Sequence, residues 1–387
     1  MDALLGRRDA APVRNVYIGF ADGGLMAPGV TSRTVLGLSS VWACLNVLSN
    51  GVSQLPWRET RSNLDLPPSR LVQRPSALTT RREWVSYVVS VLALYDIAYL
   101  LKVGGYDAEG VAMGLLPLEP GAVQPSWSGM SGIPASPFVD YDEYLIGTER
   151  VPRDRLEIIR RSPTPGASDT AGGLLTLARI SFAASIAAEG YASRYWQSGG
   201  SPNRTLTTEQ HLNKAEAEDI RDRYAQRQAK GPDYIPVLSG GMKLNEHGAD
   251  PTTEAAVEAR REQTADIARY FGVPTRMVNA PNGDSQTYAS AESANQDFVR
   301  YTLSNYIGAI EDVISEQLPG GRRMVMDASS LTTGTEAAQA QAMQLATAGA
   351  AWMTPQEARD RWHLPPLENP TELNPVTQPA AVGANNG

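Results

Sequence analysis

Apolar residues recur along this chain in two periods, and the switch between them marks out its elements. Val41, Leu45 and Leu48 fall at i, i+4 and i+7, which predicts a helix over Ser39–Ser49 with a serine start. Gln54-Leu55-Pro56-Trp57 leads out of it as an extended segment. A second helix is predicted over Arg81–Leu94, then a strand over Ile97–Val103 ending at Gly104-Gly105. From Leu115 to Arg161 the chain is Pro-rich, and the short apolar runs at Leu115, Glu143 and Leu156 read as strands between turns. After a loop over Ser162–Gly173, Leu174–Gln197 reads as a helix with six alanines and few charges.

The second half is more helical. A strand near Arg204–Leu206 precedes a charged helix from Thr208 to about Lys230. Tyr234–Leu238 reads as a strand, with Met242-Lys243-Leu244 expected to pair back across the Ser239-Gly240-Gly241 turn. Asp250-Pro251 opens the next helix, whose face is Val257, Arg260, Thr264, Ile267, Ala268 and Phe271. Gly272 and Pro274 end it, because glycine accepts the left-handed exit and proline forbids continuation. The polar segment from Asn279 to Gln286 follows, then a long helix over Ser290–Leu318. Its inward positions are Val299, Leu303, Tyr306, Ile307, Ile310, Val313 and Ile314, with Gly308 the expected site of a bend. Arg323–Asp327 reads as a strand and Glu336–Trp352 as an Ala/Gln helix. Thr354-Pro355-Gln356-Glu357 is a capping box opening a last helix to about His363. Residues 1–34 read as an arm, and those beyond Pro365 as a disordered tail.

Composition narrows the class. At 387 residues, 42% hydrophobic, the chain can hold two or three domains or one elongated subunit. The single cysteine, Cys44, rules out an intrachain disulfide framework, and His211, His247 and His363 have no zinc-site spacing. Met1–Pro12 lacks the apolar core of a secretory signal. Val85–Val103 has about the length of a membrane span, but Asp96 and three tyrosines within it favour a buried helix running into a strand. Net charge is −8, from 42 acidic and 34 basic residues, which argues against a tight duplex binder. No G-x-x-x-x-G-K-[ST], H-E-x-x-H or G-x-S-x-G motif occurs; Gly129-Met130-Ser131-Gly132 misses the last spacing. Asp140, Asp142 and Glu143 could hold a cation, but read better as exposed turn carboxylates. No catalytic residue, metal or cofactor is assigned.

Helix, Phe271-Gly272-Val273-Pro274 stop, polar loop, helix: this order resembles the tunnel-loop region of HK97-type portal proteins of tailed bacteriophages. Other pieces follow the family order, namely Gln54-Leu55-Pro56, Gln73-Arg74-Pro75-Ser76, Tyr95–Leu100, Pro117-Leu118-Glu119-Pro120, Gly199-Gly200-Ser201-Pro202 and Thr354–Arg359. Three places depart. Asp96-Ile97-Ala98-Tyr99 stands where relatives often carry Gly-Asn-Ala-Tyr, Ser290 where an Asn often precedes the post-loop helix, and the mid-helix Pro is replaced near Asn305. The resemblance implies a predominantly helical α+β portal fold, with an arm (1–34), wing (35–165), stem helices (166–199 and 253–271) and clip (200–252). It further implies a tunnel loop (272–290), a channel-side helix with a wing strand (291–335), a crown (336–364) and the tail (365–387). It implies a ring of about twelve copies at one capsid vertex of the virion, assembled in the host cytoplasm. Double-stranded DNA would pass through non-specifically, touching Asn279, Asn282, Asp284, Ser285, Gln286 and Thr287. The terminase large subunit and the head–tail adaptor would dock on the clip at Arg221, Arg223, Arg227 and Lys230, and the major capsid protein on the wing. No membrane partner is implied. Two competing readings are a DNA-processing enzyme or its DNA-binding subunit, which would show a basic footprint and a catalytic cluster, and an unrelated helical scaffold, which particle size would reveal.

Overall fold

The computed structural model describes residues 29–62, 64–106, 111–125, 141–161, 173–197, 203–207, 215–220, 222, 243–247, 254–278, 288–332, 344–347 and 354–361. Helix α1 (Ser32–Leu36) lies where the pattern predicts only an arm; Thr31 and Thr34 form its capping box and Val35 is buried beneath it. Helix α2 (Ser39–Ser53) starts after Leu38 with no side-chain cap, so its serines begin the helix without capping it. Helix α3 (Arg70–Gln73) is one turn, and α4 (Arg81–Tyr95) is capped by Thr80 and Glu83. The predicted Ala-rich helix is divided at Ala178 into α5 (Gly173–Leu177) and α6 (Arg179–Gln197). Helix α7 (Glu254–Phe271) runs to the Gly272 stop.

Among the described residues the strands form four small antiparallel sheets. Strand β1 (Trp57–Arg61) lies between β2 (Leu64–Leu66) and the distant β11 (Arg323–Met326), pairing Trp57 with Met326. Strand β3 (Ile97–Tyr106) lies between β4 (Ala112–Leu118) and β8 (Leu156–Arg160). It does not stop at Gly104-Gly105, as its pattern suggested. Both glycines take positive φ and carry the strand through a register shift to Tyr106. The third sheet is β5 (Val123–Pro125), β6 (Glu143–Ile146) and β7 (Glu149–Pro152). In the fourth, β10 (Lys243–His247) pairs with β9 (Asn203–Thr207); the expected partner of Met242–Leu244, Tyr234–Leu238, lies outside the described residues.

Alternation along β3 separates two cores. Ala98 and Leu100 face a large cluster built from α2, α4, α5, α6 and α7, while Ile97 and Tyr99 face a small one with Val123, Tyr141, Tyr144, Leu156 and Ile158. Tyr144 makes an edge contact with Tyr141 at 5.9 Å and a tilted one with Tyr99 at 6.0 Å. Sheet edges are closed by neighbouring groups. The Leu115 N–H donates to the Pro75 carbonyl at 2.7 Å, and Trp84 Nε1 donates to the Leu115 carbonyl at 2.8 Å. Beneath β1, the fully buried Glu59 carboxylate accepts from the Ser69 N–H at 2.6 Å and lies 3.3 Å from the Arg322 guanidinium. The Thr354–Glu357 capping box forms as expected, opening Pro355–Arg361. The predicted helix over 336–352 is described only as helical at 344–347, and the tail beyond 365 lies outside the described residues.

Candidate functional site: the frame of the channel segment

The stop at the end of α7 is built as the residues suggest. Gly272 has φ of +66°, its N–H donates to the Arg269 carbonyl at 3.1 Å, and the Val273 N–H reaches back to Ala268 at 2.9 Å. These two bonds form a Schellman motif, and the apolar contact that usually accompanies one is present as buried Ala268 and Val273. Thr302 closes the motif from another element, with Oγ1 donating to the Gly272 carbonyl at 2.8 Å. A Cβ on Gly272 would stand 3.1 Å from Thr302 Oγ1 and 3.3 Å from Cγ2. A 3₁₀ turn, Thr275–Val278, follows, with Met277 and Val278 packed on the large core.

The chain returns in α8 (Tyr288–Phe298), passes through one π-helical segment (Val299–Leu303) and continues as α9 (Ser304–Glu316). Arg276 bridges the two flanks by donating to Asn295 Oδ1 at 2.6 Å. The residues on either side of 279–287 are therefore tied by Thr302–Gly272 and Arg276–Asn295. The irregularity in the long helix is the π segment, not Gly308, which lies in regular α9 with open space around it. Of the residues singled out for DNA contact, Asn279, Asn282, Asp284, Ser285, Gln286 and Thr287 all lie outside the described residues. So do Arg221, Arg223, Arg227 and Lys230; around them, 215–220 and 222 are helical, with Glu216, Glu218, Asp219 and Asp222 exposed.

Three further contacts fix the frame. Asp96 ends α4 with φ of +58°, in the conformation that favours glycine. Its carboxylate accepts from Arg161 Nε at 2.6 Å, and the Arg161 guanidinium stacks 5.0 Å from the Tyr306 ring. Burial pushes the Tyr306 phenol up to about 12, offset in part by Arg161 and reinforced by Asp96. Beside this node α5 packs so closely on α4 that a Cβ on Gly173 would lie 2.3 Å from Tyr95 Cα. At its far end, α9 caps β11: Glu311 Oε1 accepts from the Met326 N–H at 2.5 Å, and Ser315 Oγ from Met324 at 3.0 Å. Thr302, Arg276, Asn295 and Arg161 were not legible as functional, since each acts through a partner distant in sequence. Gly272 was.

Helices α6 and α7 run beside one another, tied by Arg260–Glu189 at 2.6 Å and Ser181–Tyr270 at 3.4 Å. Leu174, Ala178, Phe182 and Ser185 on α5 and α6 are buried, whereas Leu177 and Ile180, 51% and 84% exposed, begin an outer stripe that continues through Ala184, Ala187 and Tyr191. Among the described residues, no cluster of His, Cys, Asp and Glu could hold a metal, and no helix is long and apolar enough to cross a membrane. Of the acidic trio, Glu143 pairs with Arg150 at 3.4 Å and Asp142 is exposed, while Asp140 lies outside the described residues.

Comparison with known proteins gives this geometry its context. The chain is 25% identical to the portal protein of Enterobacteria phage HK97 over 316 residues, covering 77% of this chain and 71% of that protein. It is 24% identical to a probable portal protein of Streptomyces phage phiC31, covering 73% of this chain and 64% of that one. Among solved structures it is similar in fold to an HK97 family phage portal protein from Corynebacterium diphtheriae, with a TM-score of 0.58, 19% identity, and coverage of 78% and 96%. It is also similar to a chain from the neck of the native gene transfer agent particle, solved with C12 symmetry, with a TM-score of 0.54, 18% identity, and coverage of 87% and 92%. The model of the phage portal protein family matches residues 39–362, and with the helix, Gly-Val-Pro stop and returning helix in place, the chain belongs to that family.

Proposed function

We propose that this phage portal protein assembles as a closed ring of about twelve copies, bounding a channel through which double-stranded DNA is packaged and later ejected. The observation that carries the reading is the doubly clamped base of segment 279–287, where Thr302 holds Gly272 and Arg276 holds Asn295. Two helices are thereby fixed around a short polar stretch. In the ring, Asn279, Asn282, Ser285, Gln286 and Thr287 offer phosphates neutral, exchangeable hydrogen bonds, and Asp284 repels them, so the duplex is touched without being gripped. The net charge of −8 fits the same task. The symmetry of the gene transfer agent neck supports copies set side by side, and the outer stripe of α6 is the surface we assign to that contact.

The charged segment over 208–230, with Arg221, Arg223, Arg227 and Lys230, is the surface we assign to the terminase large subunit and then the head–tail adaptor, with residues 35–165 meeting the major capsid protein at the virion vertex. The chain acts without catalysis or cofactor. Negative-stain imaging of purified protein tests the reading. A ring with a central hole is the expected result; monomers or dimers at every concentration, with and without capsid partners, overturn it.

A further inference from the structure

We infer that Leu78 is an anchor for a partner protein, a leucine presented by a rigid loop among arginines and fitted to an apolar pocket with an acidic rim. The inference rests on the proposed meeting of residues 35–165 with the major capsid protein and gives that meeting a point of contact. Leu78 is 78% exposed. A lone exposed leucine needs no explanation by itself, but the loop that carries it is unusually well fixed.

Four consecutive residues between α3 and α4 are each bonded through a main-chain group. The Pro75 carbonyl accepts from the Leu115 N–H of β4 at 2.7 Å. Arg74 then reaches forward, with Nε donating to the Ser76 carbonyl at 3.2 Å and Nη2 to the Ala77 carbonyl at 3.0 Å. Ser76 is buried, and its Oγ accepts from the Leu78 N–H at 3.2 Å. Two residues on, Thr80 caps α4 through the Glu83 N–H. Surface loops usually leave such groups to water. Here the backbone under Leu78 is set before any partner arrives, so binding has little left to order.

Charge around the loop runs against that of the chain. Residues 70–83 hold four arginines, Arg70, Arg74, Arg81 and Arg82, and one acid, Glu83, in a protein of net charge −8. The Glu83 carboxylate is taken by the Thr80 N–H and hydroxyl, both at 2.9 Å. Arg81 is half-buried over the Trp57 ring at 5.6 Å, while Arg70, Arg74 and Arg82 are exposed on the turns that flank the loop. An apolar side chain with arginines beside it has the composition of an interface centre, and the positive charge selects an acidic partner. Duplex DNA would use the arginines but gains nothing from a projecting leucine, so a protein pocket is the better match.

Leu78→Ser in the full chain tests the anchor. Because the side chain already faces water, the variant should melt as the wild type does. Its affinity for purified major capsid protein should fall about thirtyfold, the loss typical of a truncated interface anchor. Arg82→Glu should slow association and make it less salt-dependent. Arg74→Lys keeps the charge but loses the fork that reaches both carbonyls, so exchange of the Leu78 amide should quicken in the free chain and affinity should fall with Leu78 still present. Equal affinity of Leu78→Ser and wild type for capsid protein overturns the anchor and leaves the wider contact standing. Duplex DNA binding that depends on the arginines and ignores Leu78→Ser overturns the protein pocket. If the wild-type chain binds no capsid protein, alone or in particles, the anchor and the contact both fail.

Discussion

Gly272 is the residue on which the loop frame turns. Its φ of +66° costs an alanine roughly 1–2 kcal/mol, and the contact with Thr302 adds overpacking, so Gly272→Ala should lose about 2–4 kcal/mol of stability. Thr302→Ser removes the methyl at 3.3 Å and keeps the hydroxyl at 3.1 Å, so the double variant should recover part of that loss in denaturant melts; additive losses would show that the Thr302 methyl does not crowd this site. Asp96 is the converse case, a non-glycine residue in left-handed backbone held by the Arg161 pair. The same node gives a pH prediction. The folded Tyr306 phenol titrates near 12 against 10 for a free one. A raised folded value means that the stability is complete below pH 10 and is lost as pH climbs from 10 to 12. Tyr306→Phe should flatten that alkaline limb in urea melts, and an unchanged limb would assign it to other groups.

At the scale of elements, the periodic patterns located most helices and strands within a few residues, because each buries one face and its period records which. They misplaced what depends on neighbours. Strand β3 runs past Gly104-Gly105 to Tyr106 because its pairing with β4 continues through a register shift, and the irregularity of the long helix lies at Val299–Leu303 and not at Gly308. Asn282→Arg/Asp284→Arg belongs here. Each new arginine turns a passing contact into a charge-assisted one worth ~1.5–3 kcal/mol, so packaging should stall while particles still assemble. Unchanged DNA filling would take segment 279–287 out of the DNA path. For the charged segment over 208–230, Arg223→Glu/Arg227→Glu should leave ring size unchanged and weaken terminase and adaptor capture. Normal capture would leave that face merely solvated.

For the whole molecule, α6 is the informative element. Its inner face is spent in the subunit's own core, and its outer face, continued from Leu177 at the end of α5, carries Ile180 and Tyr191. Leu177→Glu/Ile180→Glu should therefore change subunit stability little, within about 0.5 kcal/mol, because both side chains already face water in the single chain. Ring assembly should be lost, as measured by light scattering. Full-size rings from that variant would move the subunit contact to another face. The sequence alone determined the helix–stop–helix frame, the charge sign and the missing catalytic motifs, since glycine, proline and periodicity act on neighbours along the chain. Only the tertiary structure decided that β1 closes against β11, that Arg161 reaches Asp96 and Tyr306, and that the long helix takes π-helical bonding at Val299–Leu303. These depend on side chains brought together from far along the chain, or on a single hydrogen bond lengthened by one residue, and no local period records either.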